Sequence, residues 1–252
     1  MIHLLKRHPI PIAAFFERVL VVTYAYPREV LAPLLPPGLE LDAYEDFGFL
    51  AIAMVQTKGL RPAFLPAAVG KDFFLTGYRI FTRFKTANGQ VLRGLKILRS
   101  DTDQPAMVRW GNLLTHYQYR LAQVATSRAG DRITFDIRTP NAEADFQITA
   151  DLGTMPAPLP AESPFPSLEI ARRFAGPLPN TFDYESESNS IIVVRGVRQD
   201  WKPQPVSVTI TKASFLDAPP FNSRKPRLAN AFYLENVPYR WERGTREALA
   251  AK

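Results

Sequence analysis

No cysteine occurs in the 252 residues, which excludes disulfides, thiol nucleophiles and cysteine-held zinc or iron–sulfur centres. Histidine is nearly as scarce. His3 and His8 fall near the start and only His116 lies further in, so a three-histidine zinc site is not expected and no metal is implied. Neither G-x-G-x-x-G nor G-x-x-x-x-G-K-[ST] is present, which removes the usual dinucleotide and P-loop signatures; no cofactor and no internal repeat is indicated. No stretch approaches the roughly 18 apolar residues of a membrane span. In the opening MIHLLKRHPIPIAAFFERVLVV, Pro9, Pro11, Glu17 and Arg18 interrupt any signal-peptide core, and no small-residue cleavage site follows. The expectation is a soluble, cytoplasmic protein without a membrane partner.

What is present fits an ordinary globular chain. Hydrophobic residues make up 46% and charged residues 22%, enough apolar mass for a real core and best read as one domain over residues 1–252. The net charge of +7 comes from 31 basic and 24 acidic residues. Its densest segment, SRKPR (Ser223 to Arg227), lacks any zinc-finger, helix-turn-helix or RNP context; it reads as a solvated loop, and a nucleic-acid partner is not expected. A homo-oligomer is compatible with the composition.

Periodicity divides the chain into strands with a few short helices. FERVLVVTYAY (Phe16 to Tyr26) is a β-branched and aromatic strand, and PREVLAPLL (Pro27 to Leu35) is a short helix with Val30, Leu31, Leu34 and Leu35 on one face. The helix must stop at Pro36 and Pro37, and Gly38 supplies the positive φ of a type II turn before LELD resumes as strand. GFLAIAMVQ reads as a buried strand. DFFLTGYRIFTRFKT turns through Asn88-Gly89 into QVLRGLKILRS, a hairpin. A helix follows in DTDQPAMVRWGNLL, with Asp101, Thr102 or Asp103 as cap and Met107, Trp110, Leu113 and Leu114 as its apolar stripe. THYQYRLAQVAT, DRITFDIRT and ADFQITADL form a meander, and SLEIARRFA (Ser167 to Ala175) is a short helix after the proline-rich Met155 to Pro166. Strands over Ser190–Val197, Pro205–Leu216 and Ala229–Arg240 complete a mainly antiparallel β (α+β) pattern.

LAPLLPPGLELD, the GYRIF strand carrying Arg79, and the GNLL helix followed by a tyrosine-rich return strand together resemble the DUF2071 family. That family is similar to acetoacetate decarboxylases. The resemblance implies a cone or barrel of antiparallel strands enclosing a cavity, flanked by a few short helices. It also implies a comparison of active-site positions, since those enzymes form a Schiff base through one of two adjacent lysines. Here the paired positions fall on Tyr119 and Arg120, and a family glutamate falls near Leu75. A phenol forms no imine and a guanidinium is effectively never deprotonated, so the amine is missing.

The remaining candidates follow from residue chemistry. Lys96 either points into the cavity as a substitute amine or snorkels on a sheet face, the plainer reading. Arg79, buried among GYRIF, needs either an internal acid or a bound carboxylate. His116 is taken as the sole imidazole within the fold; on a regular strand it shares a face with Gln118 and Arg120, while Tyr117, Tyr119 and Leu121 share the other, and either face could be internal. The candidate catalytic set is therefore His116, Tyr119 and Lys96, with Arg79, Arg99 and Arg120 for substrate. The expected function is a small-molecule binding protein, or an enzyme of lyase or hydrolase type, acting on an organic acid without the Schiff-base lysine. The competing class is a non-catalytic scaffold or basic interaction protein.

Overall fold

Four long strands carry the architecture: β1 (Ile12–Pro27), then, after the short β2 (Leu39–Leu41), β3 (Phe47–Pro62) and β4 (Lys71–Lys85), and near the end of the chain β14 (Arg227–Trp241). The computed structural model describes residues 2–174, 176 and 178–249. β4 turns at Gly89, whose φ is +83°, into β5 (Val91–Thr102), as the Asn88-Gly89 signal requires. After helix α3 (Pro105–Leu114) come β6 (Tyr119–Leu121), β7 (Gln123–Ala129), β8 (Arg132–Arg138) and β9 (Phe146–Asp151). Then follow β10 (Asn180–Glu185), β11 (Ser190–Arg198), β12 (Gln204–Pro205), β13 (Ser207–Ala213), β14 (Arg227–Trp241) and β15 (Thr245–Ala248). The remaining α-helices are single turns, α1 (Ile2–Leu5), α2 (Arg28–Leu31) and α4 (Leu168–Arg172).

The large sheet runs β14-β1-β3-β4-β5-β10-β11 and returns to β14, a ring that is only partly closed. Its long ladders are antiparallel. The weak joints are a parallel pairing of Asn180 and Thr181 with Gly94 and Leu95, and a short ladder of Gly196–Arg198 against Trp241–Tyr239. A four-stranded antiparallel sheet, β13-β9-β8-β7, lies against the ring's outer face. There Leu20, Val22, Ile52 and Tyr78 share one apolar cluster with Ile133, Phe135, Phe146 and Ile148. The alternate residues Val19, Val21, Phe49, Ala51 and Phe81 point into the ring. Burial on both faces explains why GFLAIAMV is nearly continuous in apolar residues rather than alternating.

Several sequence expectations are corrected locally. PREVLAPLL divides into one α-turn and a 3₁₀ turn at Ala32–Leu34, while Gly38 takes φ +85° as the PPG turn demands. No acidic side chain caps α3: Thr102 Oγ1 accepts from Gln104 N, Asp103 accepts from Phe74 N, and Asp101 is engaged by Arg99. Trp110, assigned to the apolar stripe, is 54% exposed. The return strand is broken, because Gln118 has φ +53° and only Tyr119–Leu121 pairs, parallel to β5, before β7 starts the second sheet. Ser167 caps the short helix through Ile170 N, and that helix ends at Arg172; the expected terminus, Ala175, lies outside the described residues.

Candidate functional site

Arg79 lies on the inward face of β4, between Gly77 and Phe81, and is 9% exposed. Its long side chain folds back along the strand. A Cβ on residue 77 would meet Arg79 Nε and Nη2 at 2.7 Å, so the glycine provides the space that the guanidinium occupies. Around it stand Tyr117, Tyr119 and Tyr239, with Ser100 and Thr181 completing a chamber of about 50 Å³. Among the described residues no carboxylate pairs with Arg79, and its Nε has no hydrogen-bond partner. Nor has the Tyr117 hydroxyl, although Thr181 lies close to it. Burial pushes the guanidinium below its ordinary pKa, and a guanidinium in a protein is effectively never deprotonated.

The phenols respond in the opposite sense. Burial raises the pKa of Tyr119 to about 12, against the pull of Arg79, and raises Tyr117 and Tyr239 as well. All three are neutral donors at physiological pH. Tyr119 is also held in place: Asn112 Oδ1 accepts from its backbone N–H at 2.7 Å, and Asn112 Nδ2 donates to its carbonyl at 2.8 Å. The adjacent Gly111 leaves room for the ring, since a Cβ there would meet Tyr119 Cδ2 at 2.3 Å. Gly111 and Asn112 of GNLL thus seat Tyr119, eight and seven residues further along the chain.

A second, apolar compartment of about 120 Å³ adjoins the chamber and shares Phe16, Leu75, Tyr117, Tyr119 and Trp241 with it. Its wall includes Leu60, Phe73, Met107 and Leu114, and one side is the N-terminal segment His8 to Ile12. That segment is tied down by backbone bonds from His8 N to Leu114 O and from Gly244 N to His8 O. Arg7 adds an ion pair to Glu185 of β10, which Ser188 also contacts. His8 is 6% exposed, and burial lowers its pKa to about 4, which keeps it neutral. The histidine inside the fold is therefore His8. His116 faces elsewhere, contrary to the expectation that it was the only internal imidazole.

The residues singled out from sequence fall in separate places. Arg79 and Tyr119 meet in the chamber. Lys96 pairs with Ile80 across the sheet, on the face opposite Arg79, and its Nζ reaches Asp183 Oδ1 at 2.6 Å. It lines a polar groove with Lys6, His116, Gln118 and Arg120, separated from the chamber by Tyr119. His116 is half-buried there, and desolvation lowers its pKa. Arg99 is held by both oxygens of Asp101 at 2.8 and 2.9 Å and by Glu143 at 2.9 Å, and Arg120 meets the same Glu143 oxygen at 2.9 Å. Despite the broken strand, the alternation holds as far as Arg120: Tyr117 and Tyr119 are buried and His116, Gln118 and Arg120 are not, but Leu121, expected on the tyrosine face, is 44% exposed. Leu75 lines both compartments. Among the described residues no group of three or more His, Asp or Glu could hold a metal.

Solved structures share this architecture. Acetoacetate decarboxylase from Legionella pneumophila superposes with a TM-score of 0.63 at 12% identity, covering 95% of this chain and 88% of its own. An acetoacetate decarboxylase-like enzyme from Sphingomonas wittichii gives 0.57 at 13% identity over 93% and 92%. The enduracididine biosynthesis enzyme MppR, complexed with pyruvate, gives 0.59 at 13% identity over 94% and 90%. At such identities the likeness is one of fold. No curated protein matches the sequence. Residues 14–238 match DUF2071, described as an uncharacterized conserved protein, and the chain belongs to that family.

Proposed function

We propose that the protein is a single domain that binds a small organic acid in the interior chamber, with Arg79 as the carboxylate anchor and Tyr117, Tyr119 and Tyr239 as neutral hydrogen-bond donors. The observation that carries this reading is a buried guanidinium with no acidic partner among the described residues. Leaving such a charge uncompensated is costly, and a bound carboxylate would satisfy its planar fork with two charge-assisted bonds. The fold neighbour MppR, with pyruvate bound, supports a small acid as the class of ligand.

The same reading excludes Schiff-base chemistry. The resemblance to acetoacetate decarboxylases puts Tyr119 and Arg120 at the paired lysine positions, and no lysine is among the residues lining either compartment. Lys96, the conceivable substitute, is turned away and paired with Asp183. Any chemistry would be proton transfer by Tyr119 on an acid held at Arg79, of lyase or hydrolase type; without it the site is a receptor. A cytoplasmic setting belongs to this proposal on composition alone.

Thermal shift of the purified protein against a panel of small carboxylates tests the binding. A selective ligand raises the melting temperature, and Arg79→Met removes the rise. Incubation with acetoacetate and borohydride followed by intact mass measurement should give no adduct. An adduct that disappears in Lys96→Ala would overturn the exclusion.

A further inference from the structure

The two compartments differ in chemistry while sharing walls. The inner one holds Arg79 and the phenols; the outer, about 120 Å³, is bounded mainly by side chains such as Ile10, Leu60, Phe73, Met107 and Leu114. Its polar exceptions are few, among them Thr57, Thr115, His8 and Tyr117, of which Thr57 Oγ1, His8 Nδ1 and the Tyr117 hydroxyl are buried without partners. Thr115 Oγ1 already donates to the carbonyl of Gly111 at 2.8 Å, and His8 is neutral. A buried water needs two to four polar partners, whereas a dry apolar cavity on the order of 150 Å³ takes up a guest the size of benzene. An acid as small as acetate would fill the Arg79 end and leave the larger apolar volume without contacts.

At the outer rim stands Trp110, 54% exposed, with the Arg109 guanidinium 5.7 Å from its ring centre. Trp110 lines the same apolar compartment and leaves part of its ring in solvent.

We propose that the ligand is an amphipathic monocarboxylic acid whose head lies on Arg79 and whose alkyl or aryl tail, about six carbons long, fills the outer compartment. This rests on the reading of Arg79 as the carboxylate anchor. The two compartments meet at a common wall of Phe16, Leu75, Tyr117, Tyr119 and Trp241, and the proposal places one molecule across it.

Calorimetry and saturation-transfer NMR on the full chain with butyrate, hexanoate, octanoate and 3-phenylpropionate, and with octan-1-ol as the uncharged control, test it. Affinity should rise about fourfold per added methylene until the compartment is full, the gain expected from burying each CH₂. Arg79→Met should weaken all acids alike, leave the chain-length slope intact and leave octan-1-ol unaffected. Met107→Trp, and independently Ile10→Phe, should erase the gain beyond butyrate while preserving butyrate binding. A flat chain-length dependence that still requires Arg79 would overturn the tail and leave the carboxylate anchor standing. A slope that ignores Arg79→Met would overturn the anchor itself. A slope untouched by both filling variants would place the tail elsewhere and overturn the inference.

Discussion

Arg79 and Arg99 sit on neighbouring strands of the same ring, both buried, at 9% and 4% exposure, yet their surroundings are opposite. Arg99 faces outward beneath the second sheet and is held by Asp101 and Glu143. Arg79 faces inward and meets three phenols and no acid. The paired arginine belongs to the joint between the two sheets, since Glu143 comes from the β8–β9 connection and also takes Arg120. The unpaired one has no structural partner to hold. Burial alone therefore does not separate a structural charge from a functional one, whereas the identity of the facing groups does.

The largest effect expected from breaking this contrast is on the paired side. Arg99→Ala would leave Asp101, 1% exposed, as a buried carboxylate without its counter-ion, a loss on the order of 3–5 kcal/mol near neutral pH. Urea unfolding measures it. Burial already raises the Asp101 pKa to about 6 with Arg99 in place, so the penalty should shrink in mild acid, where the carboxyl can take up a proton. A loss under 1 kcal/mol would show the joint to be ordinary surface electrostatics.

Next comes the segment that covers the cavity, tied by a charge pair and a neutral histidine. His8 is depressed from 6.5 to about 4, so the folded form resists its protonation, and stability should fall as pH drops from about 6.5 to 4. Glu185 is depressed from 4.5 to about 2 by Arg7 first, so its contribution is complete above about 4.5 and is lost below it. Each stage amounts to roughly 2–3 kcal/mol at full extent. His8→Asn should flatten the first stage and Arg7→Gln the second. Equilibrium unfolding across pH, or proteolysis near Pro9, reads both. If neither variant changes the profile, the segment is not held by these groups.

The two sides of the comparison were not equally legible from sequence. The inward set follows local pattern in part: Arg79 alternates with Gly77 and Phe81 on a long strand, and Tyr117 and Tyr119 alternate with His116, Gln118 and Arg120, so periodicity separates the two faces without saying which is internal. The pairing partners were not legible. Asp183 and Glu185 lie on β10, missed because NTFDYE looks polar; its buried acids are matched by Lys96 and Arg7, 87 and 178 residues away. His8 was lost for a related reason, since a short segment running into Pro9 and Pro11 gives no sign that Leu114 and Gly244 will enclose it.

A smaller effect concerns the support of the chamber. Asn112→Ala removes both side-chain bonds to the Tyr119 peptide and leaves a partly buried N–H and carbonyl without those partners, costing about 1–2 kcal/mol. If Tyr119 is a ligand donor, the same variant weakens acid binding by more than its stability loss alone would, because the site stays folded at room temperature while the phenol is displaced. Binding unchanged at full occupancy would remove Tyr119 from the site and leave Tyr117 and Tyr239 as the donors.

The smallest expected effect is the most discriminating. Arg79→Met replaces a buried cation by an apolar side chain of similar reach in a place where no acid is left stranded, so unfolding free energy should change by less than about 1 kcal/mol, or rise. Arg79→Lys keeps the charge but loses the planar fork, and should bind carboxylates about tenfold more weakly at similar stability. Urea midpoints for Met, Lys and wild type, read beside Arg99→Ala, place the two arginines on one scale. If Arg79→Met destabilises the fold by more than about 2 kcal/mol, its phenolic contacts are structural after all, and the contrast with Arg99 disappears. If it is tolerated while acid-induced stabilisation vanishes, a charge has been kept in the core that the fold itself does not need, and its use is in the ligand.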